Sequence, residues 1–305
     1  MHIPDGILDT KTAIGTGVLS LGALGYALHH AKRTLAPRKV PLLGLSAAFI
    51  FAAQMINFPV AGGTSGHLVG GVLVAALLGP SAAVIVISTV LIVQCFAFAD
   101  GGITALGANI FNMGVLGGAV GGLLYQALAK FSRKLPGRLA AAMIASWVAI
   151  VLASIAAAGE LTSSGKASWN VAFPIITGVH AVIGIGEAAI TALVLSAIAK
   201  ARPELVLQTS AAPEPVKFSF GSVLVFGMLA AIGLALFVSP FASKLPDGLD
   251  YAAEHLGLPN PAQSHYTALA AALATLLIFL ATWGLARLLI RRKPAPAALP
   301  TDVSP

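Results

Sequence analysis

Charge is scarce in this chain of 305 residues: Asp, Glu, Lys and Arg make up 10%, against 57% hydrophobic residues. Ordinary soluble domains carry about 25% charged residues, so the composition excludes a water-soluble fold. Cysteine is scarcer still. Cys95 is the single one and lies within an apolar run, which excludes an intrachain disulfide. No basic segment precedes the first apolar stretch, because the chain opens with MHIPDG, and no cleavable leader is expected. No His-Glu-x-x-His segment occurs, which disfavours an intramembrane metalloenzyme. The stretch Gly159 to Lys166 fails as a phosphate-binding loop, both in glycine spacing and in having Ala167 where Ser or Thr is required. The chain therefore carries no nucleotide motif of its own.

What it has is apolar length. Mean hydropathy is +0.91, and runs near the ~20 residues that cross a bilayer as a helix recur along the chain. Unbroken runs such as 140–158 fit helices, because barrel strands would alternate apolar and polar residues. The pattern predicts an all-α polytopic membrane protein of about nine transmembrane helices. They fall at roughly 12–31, 41–58, 67–79, 80–98, 106–129, 138–159, 172–199, 218–239 and 266–286. Gly79-Pro80 separates the third from the fourth.

Lys and Arg concentrate in cytoplasmic loops. With the N-terminus outside, 15 of the 18 basic residues fall inside, in clusters from Lys32 to Lys39, Lys130 to Arg138, Lys200 to Lys217 and Arg287 to Lys293. Only Lys11, Lys166 and Lys244 stay outside, so the expectation is N-out, C-in. The same clustering in short loops argues against nucleic acid as the reason for a net charge of +7. Residues 1–201 read as a seven-helix unit and 202–217, with TSAAPEP, as a cytoplasmic linker. Residues 218–305 then form a two-helix unit with an outer loop over 240–265 and a cytoplasmic tail.

This topology puts Met1, His2 and His67 on one side. A free α-amine, the deprotonated amide nitrogen of His2 and its ring Nδ1 form fused chelate rings around one metal. A nitrogen from His67 completes a square, and planar nitrogen coordination points to Ni(II) or Cu(II). Gly62, Gly63, Ser65 and Gly66 before His67 admit a second segment close to the backbone. The tail of about ten residues before the first helix is long enough to fold over that loop. From spacing alone another reading stands beside this one, in which His2 is an accident of position and His67 caps a helix. Pro4-Asp5-Gly6, echoed outside by Pro246-Asp247-Gly248, is by itself a turn.

Three segments add weight. MHIPDG at the start, GGTSGHLVGG at 62–71 and ALGANIFNMG at 105–114 together resemble the CbiM/NikM family. These are substrate-capture components of energy-coupling-factor transporters for cobalt and nickel, and the resemblance covers residues 1–200. The C-terminal part resembles the small accessory component marked by Pro-Asp-Gly-Leu-Glu, with PDGLD at 246–250 here. The whole looks like a NikMN-like fusion. The resemblance implies Ni2+ or Co2+ as transported substrate, nickel preferred, ligated by the Met1 amine, the His2 amide and ring, and His67. It also implies a transmembrane coupling subunit and two cytoplasmic ATPase subunits as partners, in the cytoplasmic membrane of a bacterium or archaeon. The chain itself is then no enzyme.

Asn109, Asn112 and Asp100 sit at the outer end of the fifth helix and in the loop before it. They either orient His67 and the N-terminal tail by hydrogen bonds or make ordinary interhelical bonds. Gln54 and Asn57 pose the same choice. His180 and Glu187, seven residues apart, share one face of the seventh helix, and either support the site from below or pair structurally. Gly114, Gly118 and Gly122 predict close helix packing. Asp247, Asp250 and Glu254 of the outer loop are expected to guide cations rather than bind them tightly. The alternative function is a stand-alone secondary divalent-metal transporter, for which His180 and Glu187 are the only intramembrane path in view.

Overall fold

The computed structural model describes residues 2–207, 219–258 and 267–289. The first apolar run becomes α1 (Thr10–Thr34), started by Asp9, whose carboxylate accepts from the Thr12 N–H at 3.0 Å. A tight turn over Pro37–Lys39 leads into α2 (Val40–Gln54). That helix is apolar all round and almost wholly buried, as a core helix must be. It stops short of the expected residue 58. The chain instead makes an antiparallel hairpin, β1 (Phe58–Val60) and β2 (Thr64–Gly66), in register Val60 to Thr64. Its turn needs φ of 90° and 80° at Gly62 and Gly63, which side-chain-bearing residues rarely adopt.

The third apolar run yields only α3 (Gly71–Leu78), about 12 Å long at 1.5 Å per residue and too short for a ~30 Å hydrocarbon core. Left-handed glycines bracket it, Gly70 at φ 76° and Gly79 at φ 95°. The next helix, α4 (Pro80–Phe98), follows at once. A long helix α5 (Leu106–Ala129) contains a π-helical stretch, Ile110–Val120. Then come α6 (Leu135–Ser163) and α7 (Trp169–Ala201), packed against each other. The start of the expected flexible linker is folded. A short helix, α8 (Pro203–Leu207), buries Val206, whose carbonyl accepts from Arg138 at 3.1 Å. The linker's remainder, 208–218, lies outside the described residues, as do 259–266 and the tail 290–305. The C-terminal unit supplies α9 (Phe220–Gly233, continued by a wider turn to Val238), α10 (Gly248–His255) and α11 (Ala268–Leu289).

Each of the nine apolar runs thus contributes a helix, and among the described residues six helices are long and apolar enough to cross a bilayer. Although α1 has 25 residues, glycines and the His29-His30 pair dilute its hydropathy. Large apolar side chains such as Leu21, Leu193, Phe237 and Leu288 point outward, a surface suited to lipid rather than water. The chain is a predominantly helical, multi-pass membrane protein. Small residues let its centre close. A Cβ on Gly71 would lie 2.6 Å from the Gly117 backbone, and one on Gly122 would lie 2.5 Å from the Ala75 side chain. The small-residue face of α5 therefore packs inside the protein. At one end of the bundle His30 meets Ser81 at 3.0 Å and Arg138 meets Val206. The other end joins Asp9 to Ser164 at 3.0 Å and carries the candidate site.

Candidate metal centre

The N-terminal thread reaches this site because its third residue is fastened. Ile3 is fully buried beside Ala105, Leu161 and Ile176, contributing about 1.5–3 kcal/mol. Asn109, at the start of α5, grips it on both sides. The Ile3 N–H donates to Asn109 Oδ1 at 2.8 Å, and Asn109 Nδ2 donates to the Ile3 carbonyl at 3.1 Å. Asp5 then accepts from the N–H groups of Ile103 and Thr104 at 3.1 and 2.7 Å. A Cβ on Gly102 would fall 2.3 Å from the Asp5 nitrogen, so only glycine lets the thread lie this close. Its lock presents His2 inward.

The hairpin and its exit present His67. Glu187 on α7 accepts from the N–H groups of Val69 and Gly70 at 2.7 and 2.9 Å, clamping the two residues beyond Leu68. Gln54 Nε2 donates to the Val69 carbonyl at 3.1 Å. The imidazoles of His2 and His67 then stack, with centroids 5.3 Å apart and planes 26° from parallel.

A third group arrives from the C-terminal unit. Ser65 donates its backbone N–H to the Pro246 carbonyl at 2.8 Å and pairs with Asp247 in a strand-like bridge. Asp247 Oδ1 caps α10 by accepting from the Leu249 and Asp250 N–H groups at 2.7 and 2.9 Å. Its Oδ2 lies 4.0 Å from His67 Nε2. One donor atom each from His2, His67 and Asp247 lies within 4.8 Å of the others. Asp100 completes the surround, with Oδ1 3.4 Å from His2 Nδ1. It is aimed by Ala99, a left-handed non-glycine residue at φ 53° that ends α4.

Burial sets the charge states. It lowers the pKa of both His2 and His67, and positive charge nearby lowers His67 further. Both rings are therefore neutral near pH 7, the form that ligates metals. For Asp247 burial acts to raise the pKa, but the surrounding positive charge outweighs it and the carboxylate stays ionised. Asp250 is pushed up to about 7, by burial first and by Asp247 second. Two neutral nitrogens and one carboxylate oxygen form a donor set that borderline divalent metals accept.

Of the residues singled out in the sequence, Met1 lies outside the described residues. His2 and His67 come together, Asp100 meets the His2 ring, and Asn109 holds the thread. Asn112 does neither, donating instead to Glu160 on α6 at 2.8 Å. His180 lines a small cavity with Gly66, His67, Asp247 and Gly248, and its Nδ1–H donates to the Ile176 carbonyl at 2.8 Å. Glu187 is the loop clamp. Asp247, expected to guide cations, brings a carboxylate oxygen within 4.8 Å of a ring nitrogen of each histidine. Its echo of Pro4-Asp5-Gly6 was a visible signal, but its partners at residues 64–67 are too distant in sequence to read.

Comparison with known proteins places the chain in a family. Residues 2–205 match the family model CbiM, described as a cobalt uptake substrate-specific transmembrane region, and residues 221–265 match the PDGLE domain. A fused nickel transport protein NikMN of Archaeoglobus fulgidus is 41% identical over 87% of this chain and 81% of its own length. The fused nickel transport protein NikMN of Rhodobacter capsulatus is 34% identical over 77% and 72%. A crystal structure of a truncated transition metal transporter superposes with a TM-score of 0.59 at 34% identity, covering 66% of this chain and 99% of that one. Metal transport is common to these names. The chain belongs to the CbiM family of metal-transport proteins and carries a PDGLE domain behind its CbiM region.

Proposed function

We propose that the protein is the substrate-capture component of an energy-coupling-factor importer, taking Ni2+, or Co2+ on the same scaffold, at the outer face of a prokaryotic cytoplasmic membrane. The observation that carries this reading is the buried, neutral His2–His67 pair with the Asp247 carboxylate beside it. Capture uses the Met1 amine, the amide and Nδ1 of His2, and a ring nitrogen of His67, with Asp247 supplying negative charge at the rim. Nickel is preferred because a deprotonated amide in a nitrogen plane suits low-spin Ni(II). The basic ends of α1, α5, α6 and α7 support an N-out orientation. Lacking a nucleotide motif, the chain delivers its ion only with a coupling subunit and two ATPase subunits. Glu187 weakens the case for a stand-alone transporter, since both its carboxylate oxygens are taken by backbone N–H groups.

Nickel titration of the purified full chain, followed by its d–d absorption, tests the site. His2→Ala, His67→Ala and a one-residue extension before Met1 should each abolish or strongly weaken binding. Unchanged affinity in the extended chain would rule out the amine chelate. Uptake into vesicles with and without the ATPase partners tests the importer role, and uptake without them would favour the secondary transporter.

A further inference from the structure

When an imidazole gives Nδ1 to a metal, its proton sits on Nε2, and that N–H needs an acceptor. His2 Nε2 is buried and has no hydrogen-bond partner. Gln94 Oε1, in the last turn of α4, is equally buried and equally unpartnered. The Gln94 side chain reaches the His2 ring closely enough to favour its protonated form as a hydrogen-bond partner does, although neither atom completes a hydrogen bond of full geometry. A buried polar atom without a partner is destabilising, so two complementary ones in the same neighbourhood call for an explanation.

The opposite edge of the ring supplies one. Asp100 Oδ1 lies 3.4 Å from His2 Nδ1, and a carboxylate only accepts, so this contact favours the proton on Nδ1. Nε2 is then a bare, buried lone pair with the Gln94 side chain beside the ring. Gln94 cannot turn its amide to relieve this. Its Nε2 donates to Gln54 Oε1 at 2.9 Å, and Gln54 Nε2 donates to the Val69 carbonyl at 3.1 Å, which can only accept. The amide chain is thus anchored to the backbone that carries His67, and its free end is the Gln94 carbonyl oxygen at His2.

We propose that Gln94 is a positioning residue for capture: its Oε1 receives the Nε2–H of His2 and selects the tautomer whose Nδ1 lone pair meets the ion, while Asp100 holds the opposite tautomer until the ion arrives. This rests on the metal reading given above. The ring stays neutral throughout. Nδ1 gives its proton to Asp100 or water as the metal–nitrogen bond forms, Nε2 takes one from water, and no oxidant or reductant takes part.

The test uses the full chain in detergent, Ni2+ as probe and nitrogen-15 histidine. Planar Ni(II) is diamagnetic, so ring shifts report the tautomer directly. The loaded wild type should show His2 protonated at Nε2. Gln94→Leu, of similar size, should weaken Ni2+ binding about 10- to 100-fold without moving the d–d band, since the ligand atoms are unchanged. Gln94→Glu restores an acceptor and should recover affinity to within a few-fold. Wild-type affinity in Gln94→Leu, or a loaded wild-type ring bare at Nε2, would overturn the proposal. The second measurement needs no variant to fold. If His2→Ala bound Ni2+ as the wild type does, the metal reading itself would fail, a separate outcome.

Discussion

At the scale of single residues, the candidate site depends on the groups that hold its two histidines as much as on the histidines. Asn109→Leu keeps volume but strips two hydrogen bonds from Ile3. The expected result is a roughly 10-fold loss of nickel affinity with the protein still extracted as a folded monodisperse species, read by titration and size exclusion. Glu187→Ala leaves two buried N–H groups unpaired at Val69 and Gly70, at about 1–3 kcal/mol each. It should lower the melting temperature clearly, and Glu187→Gln, retaining one acceptor, should fall between. The pH dependence has opposed parts. His2 and His67 have folded pKa values below the ordinary imidazole value, so below about pH 6.5 the unfolded chain binds protons first. Their share of stability is present above that pH and is lost on acidification. Asp250, raised to about 7, works the other way. Its share is full below the ordinary carboxylate value and is lost as pH rises towards 7. Thermal melts from pH 8 to 5 should show stability falling, and falling more steeply in Asp250→Asn, where the offset is gone.

At the scale of elements, the hairpin and α3 were the least readable parts. Apolar runs located every long helix because lipid demands ~20 apolar residues in a row, and that signal is local. Residues 55–58 and 67–79 belong to apolar runs too, yet the glycines at positive φ between and within them leave a hairpin and a half-length helix. Hydropathy does not register backbone torsion. The histidines were legible because the opening residues and the loop around His67 carry a family pattern. Gln94 and Asp247 were not, since a glutamine inside an apolar run and an aspartate in a turn gain meaning only from what folds against them. Where α3 crosses α5, backbone meets backbone at Gly71 and Gly117. Gly71→Ala should therefore push α3 away and shift the adjoining loop that carries His67. A substitution at the open Gly178, where a Cβ meets nothing within 4 Å, serves as the control. Nickel affinity and melting temperature should fall together in the first and hold in the second.

At the scale of the whole molecule, two units meet over the site, and the orientation is open to test. Ala61, at the exposed hairpin tip, is the place for a labelling cysteine in a Cys95→Ser background, whereas Thr64 is buried beneath Pro246. A Cys at 61 should react with an impermeant reagent on intact cells, and reaction only after permeabilisation would invert the topology. Residues 1–207 alone should still bind nickel, because the nitrogen donors all lie there, but should release it faster without Asp247 and transport it poorly with the partner subunits. Unchanged release rates would assign the carboxylate no part in retention. The bridge from Ser65 to Asp247 also has a meaning in time. Translation at about 5–20 residues per second takes about 10 to 35 s to add the roughly 180 residues between His67 and Asp247. During that interval the nascent chain holds both histidines but not the carboxylate that shuts over them. Newly made chains thus pass through a stage in which the two histidines stand uncovered to whatever ions surround them.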